Sequence, residues 1–446
     1  MKKAGVRELI PVASMLFGMF FGAGNLIFPA SMGQMAGENF LQAAAGFLIT
    51  GVGLPLLGVA ALGISRESGL LGLSSRVGRG YGLFFTCALY LTIGPLFAIP
   101  RCATVSYTVG IEALLPGVPA QLALAVFSGV FFLAVLFFAL RPGEILTWVG
   151  KVLTPLFLLF LGVLVVRALT APLASPFDIA PTGAYADAAF ATGLLEGYNT
   201  MDALAGLAFG IVVVDVVRSL GIEDPAEVAR STVKAGVFSS LLMAAIYLLV
   251  TLVGAESRGL FPVAANGGEA LSRIAGHYFG AAGAVILAGT VTLACLKTAV
   301  GLITSCADTF HALWPQGPSY RVWAAGFCGV SFLLANLGLD AIIAYSVPVL
   351  MFLYPLAIVL ILLTLCGRLF GDDPAVPRWT MGFTLAAAVL ELLRSLPAPA
   401  LEALHLTTLT GTVTGLLPLA ELGFGWVLPA AAGLAVGLLR RRAARP

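Results

Sequence analysis

Charge is scarce in this chain. Asp, Glu, Lys and Arg make up only 10% of its 446 residues, against about 25% in soluble domains. With 59% hydrophobic residues, it has too little polar surface to clothe a soluble fold. A net charge of +2 excludes the basic surface that nucleic-acid binding needs. Histidine is rarer still. His277, His311 and His405 fall in loops or at the ends of apolar segments, so no Ser-His dyad can form inside one. Asp202, Asp215 and Asp308 are intramembrane or boundary acids, but no GxGD-type pair accompanies them. The chain is therefore read as not an enzyme. Cys87, Cys102, Cys295, Cys306, Cys328 and Cys366 lie in or beside apolar segments, with no CxxC pair and no His at ligand spacing. They read as buried apolar filler rather than as a metal site or disulfide framework. No pore-type carbonyl filter repeat is visible, which argues against a channel.

Apolar runs, by contrast, recur along the whole length. A span needs about 20 residues, and segments near 9–33, 40–64, 81–113, 119–140, 145–171, 189–217, 231–254, 279–311, 321–338, 341–366, 379–396 and 417–439 qualify. The expectation is an all-α integral membrane protein of about twelve transmembrane helices, with no separate soluble domain. Glu391, Arg394 and Glu421 interrupt the last two segments. The first lacks a small-x-small cleavage site and reads as a permanent helix rather than a signal peptide. If the loops alternate sides, 18 of the 24 Lys and Arg residues, Lys2, Lys3, Arg66 and Arg445 among them, fall on the side of the N-terminus. Four, Arg167, Arg258, Arg273 and Arg394, fall on the other side, and Arg101 and Lys297 stay within spans. The bias places both termini in the cytoplasm and agrees with an even number of spans. The basic stretch 440–445 reads as a stop-transfer anchor, with contact to anionic membrane lipids as the alternative.

Two spans carry residues that a plain anchor would not. Met19–Pro29 reads MFFGAGNLIFP, with two glycines and Asn25 at membrane depth. Leu195–Phe209 reads LEGYNTMDALAGLAF, which puts Glu196, Asn199, Thr200 and Asp202 inside the sixth span. Irregular backbone at that depth survives only where protein covers it or it lines a watery cavity. Broken helices free N–H and C=O groups that bind a carboxylate or a cation. The breaks lie in spans 1 and 6, five apart, so two such units have opposite orientations. Paired breaks in corresponding positions of two halves point to a transporter site. Glycine packing kinks would explain the glycines, but not Asn25, Asn199 and Asp202.

The stretches FGAGNLIFP (21–29), GPLFAIPRCATVSY (94–107), EGYNTMDALAGLAFGIVV (196–213) and TLACLKTAVGLITSC (292–306) resemble the branched-chain amino acid:cation symporter family, within the amino acid–polyamine–cation superfamily. The resemblance covers essentially the whole chain. It implies two inverted five-helix repeats of the LeuT type plus two further helices: spans 1–5 in 1–171, an extracellular linker 172–188, spans 6–10 in 189–366, and two spans with a basic cytoplasmic tail in 367–446. It also implies import of leucine, isoleucine and valine across the bacterial inner membrane, coupled to protons or sodium, with no cofactor. A carrier for another small neutral amino acid, or a transporter-like sensor, is the alternative. The oligomeric state is not legible.

The resemblance assigns Gly22, Ala23 and Gly24 to the substrate carboxylate, where small side chains let it approach backbone N–H groups at a half-helix N-terminus. Asn25 either binds substrate or cation directly or caps that half-helix. Carbonyls around Tyr198, Asn199 and Thr200 are placed to receive the ammonium, with Tyr198 alternatively a packing aromatic. The wall of the apolar subsite is not identifiable, although Phe20 and Phe21 lie near the break. In span 8 the resemblance points to a sodium position formed with Gly18 and Phe21 of span 1. Ala294 and Thr298 fit it, but Lys297 stands where a hydroxyl is expected. An ammonium cannot ligate sodium. Lys297 either replaces the cation, or shuttles a proton, or snorkels to the interface. Arg101 lies about 18–20 Å from the outside, at the depth of Asp202. A charge there needs a partner, and Asp202, with Glu196 as second choice, is expected as an ion pair or gate. Pro95 and Pro100 are expected to kink this helix.

Overall fold

A computed structural model describes residues 5–65, 67, 69–115, 117–371, 373–396, 402, 419–420 and 423–443. Lys2, Lys3, Arg66, His405, Glu421 and Arg445 lie outside the described residues, as does the side chain of Ala23. The described residues form helices and no strands. Seven helical stretches are long and apolar enough to cross a membrane, and one bent pair makes an eighth. The first stretch, Gly24–Ser65, is 42 residues long, about twice one crossing. Gly37, with φ +50°, folds it into two.

The broken first span comprises α1 (Val6–Phe20) and α2 (Ala23–Ala36). The second comprises α3 (Phe40–Leu48) and α4 (Leu54–Ser65), joined by a π turn at Ile49–Gly53. A short helix α5 (Leu70–Ser75) leads to the third span, α6 (Arg79–Leu91) and α7 (Ala98–Val105). Then come α8 (Ala120–Ala139) and α9 (Thr154–Thr170). The second half opens with the broken pair α10 (Tyr185–Glu196) and α11 (Asp202–Ser219), bent by 45°. It continues with α12 (Pro225–Ser257), α13 (Gly267–Phe279), α14 (Ala281–Leu313), α15 (Tyr320–Ala335) and α16 (Leu339–Leu365). Among the described residues, α17 (Ala375–Arg394) and α18 (Val427–Ala443) follow.

Each expected span has helix among its described residues. Of the last, 417–439, residues 417, 418, 421 and 422 lie outside the described residues, and a helix runs from Val427. Glu391 lies inside α17 and Arg394 is its last residue; the two pair at 4.0 Å, and Arg394 also donates to the Ala420 carbonyl. Helix α13 is not among the spans read from the sequence. It is amphipathic, burying Ala270, Leu271, Ile274 and Ala275 against α2 and α14, and Asn266 caps its first turn through the Glu269 N–H at 2.9 Å. The outward face of α8 carries Leu122, Val126, Val130, Leu133 and Phe137, all exposed, at the spacing of one helical stripe.

The third span bends at Gly94, whose backbone is non-helical (φ −91°, ψ −125°), just before Pro95. A Cβ at Gly94 would fall 2.7 Å from Cys306 Sγ, so the bend also lets span 3 approach α14. Pro100 makes no kink. It sits in the first turn of α7, where its missing N–H costs no helical bond. The bend re-aims α7 so that Arg101 and Cys102 face the molecular interior.

Candidate functional site

The two breaks face one another. In span 1, Phe21 and Gly22 leave the helix, and α2 restarts at Ala23. Ala23, Gly24 and Asn25 therefore form the first turn of a half-helix, where N–H groups lack intrahelical partners. Asn25 closes that turn: its Oδ1 accepts the Gly22 N–H at 3.0 Å. Its Nδ2 donates to Asp202 and to Tyr247, and Tyr247 Oη donates to Asp202 Oδ2 at 3.0 Å. Asn25 is thus a cap and also the bridge from span 1 to span 6. In span 6, Gly197–Thr200 form a tight turn and Met201 adopts the left-handed region (φ 65°). A non-glycine residue there carries strain of order 1–2 kcal/mol, and it starts α11 at Asp202.

Arg101 is 4% exposed and reaches the end of the span 6 turn. Its Nη1 donates to the Asn199 carbonyl at 2.9 Å and its Nη2 to the Thr200 carbonyl at 3.5 Å. Its guanidinium stands 5.6 Å from the Phe28 ring centroid. The expected ion pair with Asp202 is not made, because the Asp202 carboxylate is engaged by Asn25 and Tyr247. Nor does Glu196 take Arg101; it accepts from Asn199 Nδ2 at 3.5 Å. The reason is local: the Asn199 and Thr200 carbonyls at a half-helix C-terminus attract a cation, while the Asp202 carboxylate already accepts from two donors.

Lys297 performs the same act on the other break. Its side chain is fully buried, and Nζ donates to the Phe21 carbonyl at 2.5 Å and to the Gly18 carbonyl at 3.3 Å. Thr298 Oγ1 donates to the same Gly18 carbonyl at 3.3 Å. The Phe157 ring lies 4.2 Å from the ammonium, a favourable cation–π arrangement. Snorkelling is thereby ruled out in this conformation. Ala294 is buried one turn before Thr298 on the same helix. Span 3 and span 8 are counterparts in the two repeats, as are spans 1 and 6. So Arg101 on span 3 holds broken span 6, and Lys297 on span 8 holds broken span 1.

Between the breaks lies a narrow cavity with space for water of about 20 Å³, lined by Gly22, Arg101, Thr200, Asp202 and Thr298 on its polar side. Met19, Phe20, Ile93, Ala98, Ala205, Phe209 and Leu302 form its apolar side. That volume holds one or two waters, so the site is closed. The apolar wall was not legible in the sequence. Of the two phenylalanines near the break, Phe20 lines the cavity while Phe21 packs on Phe17, Phe157 and Tyr247. Tyr198 does not reach the cavity; it stacks on Tyr354 with centroids 4.1 Å apart. Tyr247 was missed. It belongs to α12, in a run with no polar interruption to flag it.

The fold defines a class: an all-helical membrane protein with two broken helices that face one another across a narrow cavity. Solved structures with this fold include Mhp1, a nucleobase-cation-symport-1 family transporter in a closed conformation with bromovinylhydantoin bound (TM-score 0.61, 15% identity, 98% of this chain and 92% of that one). MhsT in complex with L-phenylalanine is another (TM-score 0.57, 14% identity, 99% of each chain). The chain belongs to the branched-chain amino acid transport protein family, whose match covers residues 6–444. It is 51% identical over 423 residues to the branched-chain amino acid permease BrnQ of Lactobacillus delbrueckii subsp. lactis, covering 95% of this chain and 94% of that protein. It is 41% identical over 435 residues to the branched-chain amino acid transport system 2 carrier protein of Pseudomonas aeruginosa, covering 97% and 95%. It is a transporter, not an enzyme.

Proposed function

We propose that this protein imports leucine, isoleucine and valine across a bacterial inner membrane by cation symport with alternating access. Both termini then lie in the cytoplasm, and spans 1–5 (1–171) and 6–10 (189–366) act as the two repeats. The observation that carries the reading is the cavity itself. Its polar side offers half-helix termini, a carboxylate and a guanidinium to a zwitterion, and the rest of its lining is aliphatic, aromatic, thiol or thioether. The relatives named as branched-chain amino acid permeases support it. One methylene in such a wall is worth only about 1–3 kcal/mol, so the three substrates share one site. A glutamate side chain laid against the apolar wall of Met19, Phe20, Ile93, Phe209 and Leu302 would be desolvated with no cation on that wall to pair with it.

The coupling ion is a proton in this reading, and Lys297 carries it. The protonated ammonium ties α14 to the end of α1 through the Gly18 and Phe21 carbonyls. Loss of the proton weakens both carbonyl bonds and biases the carrier towards its other state. The test is uptake of labelled leucine into proteoliposomes with proton and sodium gradients imposed separately. Accumulation driven by the proton gradient, inhibited by unlabelled isoleucine and valine but not by glutamate, is expected. Accumulation that needs sodium and ignores pH overturns the coupling assignment. Inhibition by glutamate where valine is weak overturns the substrate assignment.

A further inference from the structure

Arg101 and Lys297 cap equivalent ends of the two broken spans, but only Arg101 borders the cavity. Its guanidinium also lies against the start of α2: a Cβ on Gly24 would fall 3.1 Å from Nη2. It therefore touches both polar features of the site, the carbonyls of Asn199 and Thr200 and the N–H-rich first turn of the half-helix. Among the described residues this buried cation is in direct contact with carbonyls and a ring rather than with a carboxylate, and the Asp202 oxygen that faces Asn25 and Tyr247 is already bonded. A buried charge in that condition is completed by an anion.

We propose that Arg101 binds the carboxylate of the transported amino acid, and that in the empty carrier its guanidinium holds the place of the substrate ammonium. This rests on the reading of the cavity as an amino acid site. The two halves of the exchange are linked. A carboxylate arriving at the start of α2 draws the guanidinium towards a bidentate pair. The Asn199 and Thr200 carbonyls are thereby released to the ammonium, beside the Asp202 carboxylate. An amine without a carboxylate would have to evict Arg101 and leave a buried guanidinium unpaired. A carboxylic acid without an amine would draw Arg101 away and leave two buried carbonyls unsatisfied. A single residue thus makes the site demand both charges of a zwitterion.

The experiment compares binding of leucine, leucinamide and 4-methylpentanoate to the purified full chain. The wild type should prefer leucine over each analogue by at least about 100-fold, as expected when a buried polar site is left unpaired. In Arg101→Gln, leucine should weaken to within about threefold of leucinamide, and leucinamide should bind no worse than to the wild type, since no cation has to be evicted. Arg101→Lys should restore part of the preference. An Arg101→Gln protein that weakens leucine and leucinamide equally, keeping the wild-type ratio, assigns Arg101 a structural role and overturns the proposal. A folded wild type that binds no leucine removes the substrate reading, and the Arg101 role with it. If Arg101→Gln does not fold, the structure of the wild type with leucine decides. A guanidinium within about 3.2 Å of the carboxylate supports the exchange, and one still on the Asn199 and Thr200 carbonyls refutes it.

Discussion

At the scale of single residues, the decisive group for energetics is Lys297. Its ammonium satisfies carbonyls that the end of α1 cannot satisfy internally, and three aromatic rings surround it. Lys297→Met keeps the volume but leaves the Gly18 and Phe21 carbonyls without that donor. Uptake in this variant should no longer respond to an imposed pH gradient, and its thermal stability should fall by about 1–3 kcal/mol for the unsatisfied acceptors. Lys297→Thr sets two hydroxyls side by side with Thr298, facing the same carbonyls. It should gain sodium-dependent uptake. Proteoliposome uptake under each gradient separates the two variants; a pH response of Lys297→Met equal to that of the wild type means the ammonium is structural only.

At the scale of elements, the half-helices work because their supports are rigid. Helix α2 lies on α12 with almost nothing between the backbones. A Cβ at Gly33 would fall 2.0 Å from the Thr251 carbonyl oxygen, and one at Gly254 would fall 2.3 Å from that of Ala30. Small residues permit such approach, and in a membrane close packing is the main source of helix association. Tyr247 projects from the same α12 to Asn25 and Asp202, so the α2–α12 contact sets the geometry of the site. Gly254→Leu must push the two backbones apart. It should destabilise the protein by about 1–3 kcal/mol and weaken leucine binding, although residue 254 touches no substrate. Thermal denaturation and binding on one preparation check this; a variant with wild-type stability would mean that the two helices are not as close as described.

At the scale of the whole molecule, the closed cavity has a neighbour. A second one, with space for water of about 340 Å³, is lined by Tyr90, Asp215, Ser305, Asp308 and Thr309. It lies towards the helix ends that carry Arg79 and Arg218, the expected cytoplasmic side. The layer between them is built on the Ala208 carbonyl, which accepts from Tyr90 Oη at 3.4 Å and Ser305 Oγ at 3.1 Å. If substrate leaves through this layer, Ser305→Trp should block the exit while the binding cavity stays intact. Uptake should then fall by at least about tenfold with leucine affinity retained, since a gating step limits turnover without touching binding. Equal loss of binding and uptake would place Ser305 in the substrate site instead.

Much of this protein is legible in the sequence because a bilayer imposes long apolar runs, and any departure from them stands out. Both breaks are visible as glycines and polar residues at membrane depth, and Lys297 and Arg101 are visible as charges that lipid cannot solvate. The amphipathic α13 escapes such a search, because its pattern is that of a surface helix and too polar for a span.

What the residues alone could not decide is which partner each of these groups takes. Depth along a helix pairs Arg101 with Asp202, since both lie equally far from the surface. Rotation about the helix axis and the bend at Gly94 set Arg101 on carbonyls instead, and Asp202 finds Asn25 and a tyrosine from a span with no polar signal of its own. The apolar wall of the cavity is equally a tertiary matter. Phe20 and Phe21 are neighbours of the same type, and the packing around the end of α1 decides that one lines the cavity and the other joins the core. Composition and periodicity determine that a chain crosses the membrane and where its helices break, because those follow from local solvation. The identity of contacts follows from helix rotation and crossing, to which a one-dimensional pattern of apolar residues is nearly blind.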